Sequence, residues 1–252
     1  MECAAVMLSP VLLLAHLKKI TSSAIAPCDY PSIYNFGDSN SDTGGISAVF
    51  EPIQAPYGES FFRGPAGRFS DGRLLIDFIA ELMRLPHLSA YLDSIGSNFR
   101  HGANFATGGS TIRRQNETIF QSGISPFSLD VQIAHFHRFQ SRTEELYRQG
   151  QTDLAVGFHQ MSNIQRRTAI PDHLYQQGAR AFWIHNTGPI GCLPISTLYL
   201  RNPKPGVLDN YGCLKSHNKM ALEFNRQLKA RIRTLRAELG HAAIMSMLPS
   251  MS

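Results

Sequence analysis

Apolar positions along this chain follow two rhythms, and each predicts a kind of element. Short, nearly continuous apolar runs that stop at glycine read as buried strands. They are Ser32 to Phe36, halted by Gly37; Asn104-Phe105-Ala106, followed by Gly108-Gly109; and Ala181-Phe182-Trp183-Ile184-His185. Stretches that repeat an apolar residue every three or four positions read as helices. These cover Leu74 to Leu82, Val131 to Arg142 and about His217 to Leu239. In the last, Met220, Phe224, Leu228, Ile232, Leu235 and Leu239 form one stripe, with lysines and arginines on the other face. Alternating strands and helices predict an α/β fold with a parallel sheet covered on both sides. Ser39 and Gly109 both follow predicted strands, which puts them in loops at the carboxyl edge, where such sheets bind ligands.

Composition narrows the picture. At 252 residues and 43% hydrophobic, the chain can bury one large core, and it has no internal repeat or low-complexity linker. A single domain over residues 28–252 is expected. The net charge of +5 is spread thinly, with Lys18-Lys19, Arg113-Arg114 and Arg166-Arg167 as the only adjacent basic pairs. No aromatic ladder lies between them, so the charge reads as a solvated surface and argues against nucleic acid as a partner. Residues Ala4 to Leu17 are almost wholly apolar, long enough for the core of a signal peptide and too short to span a bilayer. Ser22-Ser23-Ala24 then supplies small residues, so residues 1–24 are expected to be a signal peptide and the protein secreted. The sequon Asn116-Glu117-Thr118 is then a glycosylation candidate. No Cys/His cluster has metal-ligand spacing and no glycine-rich phosphate loop appears, so neither metal nor nucleotide cofactor is expected.

The candidate chemistry centres on Ser39. The strand stops at Gly37, and the polar Asp38-Ser39-Asn40 that follows is expected to begin a helix. There unsatisfied backbone N–H groups and the positive end of the helix dipole would stabilise an oxyanion. A bare Gly-Asp-Ser triplet by itself reads as a helix cap and a turn, and only the longer motif reverses that reading. The longer run Phe36-Gly37-Asp38-Ser39-Asn40-Ser41-Asp42-Thr43-Gly44-Gly45 resembles the first signature block of the plant GDSL esterases/lipases, in the SGNH-hydrolase superfamily. The resemblance continues through Tyr57-Gly58-Glu59, Pro65 to Arg73, Gly102 to Gly109 and His185 to Pro194.

This resemblance implies a three-layer α/β/α, flavodoxin-like SGNH-hydrolase fold and cleavage of a small-molecule ester with Ser39 as nucleophile. It implies oxyanion donors from the Ser39 N–H, from the N–H of Gly109 (Gly108 the alternative) and from an asparagine in a third block. That block here reads Gly150-Gln151-Thr152-Asp153, with Thr152 at the asparagine's place and the polar Arg148-Gln149 where apolar strand residues are expected. The family's base and its partner come from an Asp-x-x-His motif. None of the ten histidines has an aspartate three residues earlier; the nearest approach is Glu238-Leu239-Gly240-His241. The expectation is a fold incomplete at its C-terminus, with no catalytic Asp or His in these residues. His185 and His101 are the substitutes to consider as base. The resemblance also implies a disulfide between Cys192 and Cys213, with Cys28 left over and Cys3 lost with the signal segment. Two functions follow: an ester hydrolase of impaired activity, or a non-catalytic remnant that binds ligand or is an unstable truncated form. The oligomeric state stays open.

Overall fold

The computed structural model describes residues 30–114, 125–151, 174–176, 179–198, 200, 202–240 and 242–247. They form two compact units, divided between His159 and Gln160.

In the first unit, β1 (Ile33–Asn35) pairs in parallel with β2 (Gly102–Asn104), Ile33 facing Gly102 and Asn35 facing Asn104. Gly102 has φ 109, and a Cβ there would lie 1.7 Å from the Ile33 carbonyl oxygen, so only glycine lets the strands approach this closely. Three short or medium helices separate the strands: α1 (Gly45–Val49), α2 (Glu59–Phe62) and α3 (Leu75–Leu82). After β2 comes α4 (Leu129–Arg148). Its buried Phe136 and Phe139 pack with Phe105 and Tyr34; the Tyr34 ring meets Phe136 edge-on at 5.4 Å. Burial pushes the Tyr34 hydroxyl up to about 12.

A buried ion pair ties the loop before α3 to the helix itself. Arg68 donates through Nε and one terminal nitrogen to the two carboxylate oxygens of Asp77, at 2.8 and 2.7 Å, while the Leu74 N–H also donates to Asp77 (2.9 Å). Asp77, at the third helical position, therefore satisfies an orphan N–H of the first turn and neutralises Arg68 at once. The Arg68 guanidinium further lies 4.5 Å over the Phe62 ring.

The helix expected over Val131–Arg142 runs six residues further, through Arg148, and stops before Gly150 at φ 82. Arg148-Gln149 therefore end a helix where the family resemblance leads one to expect an apolar strand. Their polarity suits a solvated last turn, where Arg148 also reaches Glu144 at 3.7 Å.

In the second unit, β3 (Ala181–His185) pairs in parallel with β4 (Ala243–Met247), Phe182 facing Ile244. Between them come a 3₁₀ turn (Ile190–Cys192), α5 (Pro194–Thr197) and α6 (Lys215–Glu238). Phe182 and Ile244 pack on Ile232, Leu235 and Leu239. The apolar stripe expected along the whole of α6 is buried only in its second half: Met220 is 56% and Phe224 38% exposed. The two-stranded pair is short, and helical rise carries the first turns beyond it. Cys192 and Cys213 form a disulfide, and beside it the Gly191 N–H donates to Asn218 Oδ1 (2.8 Å) and the Leu214 N–H to the Gly191 carbonyl (2.9 Å). With parallel strand pairs and helices intervening between the strands of each unit, the chain is an α/β protein.

Two outcomes follow. Asp77→Ala, which leaves Arg68 buried without its partner, should destabilise the protein by about 3–5 kcal/mol in denaturant titration. Replacing Cys192 and Cys213 by serine should cost about 3 kcal/mol for a loop of this length, measured the same way.

Candidate active site

β1 ends at Asn35 and the chain turns at Gly37, so Ser39 stands four residues beyond the strand, in a turn closed by the Ser41 N–H on the Asp38 carbonyl (3.1 Å). The Asp38 carboxylate accepts from the N–H and the side-chain amide of Asn40. Ser39 does not open a helix. α1 begins only at Gly45, and the residue that serves its first turn is Asp42. Completely buried, Asp42 takes the N–H groups of Gly44 (2.8 Å), Gly45 (2.6 Å) and Ile46 (3.1 Å). The expected dipole therefore does not act on Ser39, because α1 is five residues long and starts six residues away.

The fourth donor to Asp42 comes from the other loop: the Gly108 N–H, at 2.6 Å. One carboxylate thus fastens the Ser39 loop to the loop after β2. Burial raises the Asp42 pKa, against the downward pull of its four N–H donors. Asn104 adds a second fastening, donating to the Ser41 carbonyl (2.6 Å) and to the Thr43 hydroxyl (2.9 Å) and accepting from Asn35 (2.8 Å) and the Ala106 N–H (3.0 Å). A third comes from α4. Gln132, fully buried, accepts from the Gly37 N–H (3.0 Å) and donates to the Gly37 carbonyl (2.8 Å), the Ser110 hydroxyl (3.0 Å) and the Phe127 carbonyl (3.1 Å).

Among the described residues, no acceptor meets the N–H of Ser39 or of Gly109, and the Ser39 hydroxyl has no partner. The Gly108 N–H, by contrast, is occupied by Asp42, which removes it as the alternative donor. Phe69 fills the space beside Gly108, where a Cβ would lie 2.4 Å from its ring.

The two histidines considered as substitute bases stand differently. His101 lies at the amino end of the β1–β2 pair: its carbonyl accepts from the Ile33 N–H and its ring nitrogen Nδ1 meets the Pro31 carbonyl at 3.0 Å. Ser39 follows the opposite end, so His101 is excluded as its base. His185 closes β3 in the second unit, its ring stacked on Trp183 at 5.5 Å, and desolvation lowers its pKa. Thr152, Asn116, Cys3, Cys28 and His241 lie outside the described residues.

Asp42, Asn104 and Gln132 were not singled out in the sequence. Asp42 and Asn104 sit inside quoted motifs without a role. Gln132 gives one faint signal, a polar residue four positions before Phe136 on the helix face that is otherwise buried.

Residues 33–245 match the family described as GDSL-like Lipase/Acylhydrolase. The chain belongs to that family. Among its curated relatives, a GDSL esterase/lipase of Arabidopsis thaliana is 56% identical over 92% of this chain and 69% of its own length. An esterase of Hevea brasiliensis is 44% identical over 92% of the chain and 68% of its own length. A protein named alpha-L-fucosidase 3, also from Arabidopsis, is 44% identical over 94% of the chain and 73% of its own length. The first alignment runs over 269 positions, more than the 252 residues of this chain, so that relative carries internal residues with no counterpart here. As a GDSL-family member the protein is a hydrolase of the class that acts on esters.

Replacing Asp42 with Asn keeps the shape but turns an amide –NH₂ toward backbone donors that need an acceptor. The expected loss is about 2–4 kcal/mol of stability in urea, since buried N–H groups are left unpaired.

Proposed function

We propose that the protein is a secreted carboxylic-ester hydrolase in which Ser39 is the nucleophile and the N–H groups of Ser39 and Gly109 receive the oxyanion. The observation that carries this reading is a contrast. Between neighbours tied down at Gly37, Gly44, Gly45 and Gly108, the Ser39 hydroxyl and these two N–H groups meet no partner among the described residues. Groups held fixed and unpaired are what electrostatic stabilisation of a tetrahedral intermediate requires. Secretion rests on the apolar Ala4–Leu17 run, and glycosylation at Asn116 would accompany it.

Ester cleavage also suits the site better than glycoside cleavage, despite the relative named as a fucosidase. Glycosidases generally need two free carboxyl groups flanking the bond. On the Ser39 loop, Asp38 is bound to Asn40 and Asp42 is enclosed by four N–H donors.

The same reading includes slow turnover. No histidine among these residues follows an aspartate by three positions, and Thr152 replaces a carboxamide donor. Helix α4 running up to Gly150 takes the place of the strand that should deliver the third block. Loss of the base alone costs on the order of 10⁶ in turnover, and a missing oxyanion donor adds little once the base is gone. The same absence favours a second reading, a module that binds an ester-like ligand without turning it over.

Nitrophenyl acetate decides between them. The purified chain should hydrolyse it slowly but measurably above buffer, with the excess abolished by Ser39→Ala. Excess hydrolysis that survives Ser39→Ala would remove Ser39 from the reaction, and no excess at all would favour the binding module.

A further inference from the structure

Gln132 has a place no motif assigns. Its side chain lies in the core of the first unit, yet its amide bonds to the backbone of Gly37 and Phe127 and to one side chain, the Ser110 hydroxyl. The oxygen accepts the Gly37 N–H, while the nitrogen serves the Gly37 carbonyl, the Ser110 hydroxyl and the Phe127 carbonyl. Gly37 is two residues before Ser39, and Ser110 is one residue after Gly109. A single side chain therefore touches both loops that carry the unpaired donors. Consecutive Cα atoms are about 3.8 Å apart, so Ser39 and Gly109 are each held within a residue or two of the same amide group.

The contacts around it close the arrangement. The Gly37 carbonyl also accepts the Thr107 N–H (3.3 Å), and the Ser110 hydroxyl lies 2.7 Å from both the Thr107 and the Phe127 carbonyls, to one of which its single hydrogen is donated. Asp42 joins the loops on their far side, through Gly108 and Gly45, but it does not reach Gly37 or Ser110. Turn residues such as Gly37, at φ 158, have no side chain with which to fix their own peptide plane. Gln132 fixes it from outside.

We propose that Gln132 is a positioning residue: by gripping both polar atoms of Gly37 together with Ser110, it sets the separation of Ser39 from the Gly109 N–H. The proposal rests on the reading of Ser39 and Gly109 given above and assigns Gln132 no contact with substrate. A carboxamide suits the task because it offers an acceptor and a donor side by side. A neutral carboxylic acid offers the same pair, whereas a carboxylate has no donor to give. Gln132→Glu should therefore be competent when protonated and defective when ionised, and burial raises the pKa of such a glutamate.

The test uses 4-fluorophenylboronic acid, followed by ¹⁹F NMR. The Ser39 Oγ adds to boron and its proton passes to water, leaving a tetrahedral boronate anion at the oxyanion position, so no catalytic base is consumed. Each variant is compared with wild type at the same pH, at a temperature where near-UV circular dichroism shows it folded. Gln132→Leu should bind at least about tenfold more weakly, the scale expected when reacting groups are misplaced by an ångström or less. Gln132→Glu should be weak at pH 8 and return toward the wild-type value as the pH falls to 5. Wild-type affinity in folded Gln132→Leu, or a Gln132→Glu ratio that does not change with pH, would overturn the proposal. Boronate affinity that persists in Ser39→Ala would instead overturn the nucleophile assignment. If the wild type takes no boronate, the amide resonances of Ser39 and Gly109 decide: the proposal requires them to shift in Gln132→Leu, and it falls if they do not.

Discussion

Backbone polar groups shut away from water must find partners, and the two loops at the carboxyl ends of β1 and β2 have no regular structure to supply them. Three side chains do so instead. Asp42 collects four N–H groups, Asn104 joins the Ser41 carbonyl to its own strand partner Asn35, and Gln132 holds both polar atoms of Gly37. Each spans the two loops or ties one to a neighbouring element, so the bonding that satisfies the backbone also fixes where Ser39 and Gly109 lie. Buried networks of this kind are stable when every member is satisfied, and no buried side-chain polar atom among the described residues lacks a partner.

The same network holds the neighbours of Ser39 and Gly109 and leaves the N–H groups of these two residues and the Ser39 hydroxyl available. Gly108 is used up by Asp42 and Gly37 by Gln132, while the N–H groups of Gly109 and Ser39 meet no acceptor among the described residues. Availability here results from the neighbouring donors being occupied, without help from a helix terminus. An ester carbonyl arriving at these donors would exchange water for groups that need no reorganisation, which is the electrostatic advantage an acyl-transfer site depends on.

Much of this was legible in the residues, and the failures have physical causes. Strands β1 and β3 and the long helices were readable because burial imposes a period, whereas the strand expected at Asn104–Ala106 lies two residues earlier, at Gly102–Asn104, where the small Gly102 and Ala103 give no apolar signal, and β4 was not anticipated. The helix expected at Ser39 was misread because Asp38-Ser39-Asn40 has the composition of a helix cap, while the residue that performs the capping, Asp42, comes three positions later. The α6 stripe was overextended because periodicity reports what could be buried, not how much partner surface exists; Met220 and Phe224 remain exposed. Gln132 was invisible since its role depends on a contact across 95 residues that no local pattern announces.

Residue-resolved amide hydrogen exchange on the folded protein tests the central claim, that side chains occupy the donors flanking Ser39 and Gly109 while these two stay open. The N–H groups of Gly37, Gly44, Gly45 and Gly108 should exchange slowly and those of Ser39 and Gly109 quickly, within the same loops. Equal protection of all six, or protection of Ser39 and Gly109 with fast exchange at Gly37 and Gly108, would contradict it.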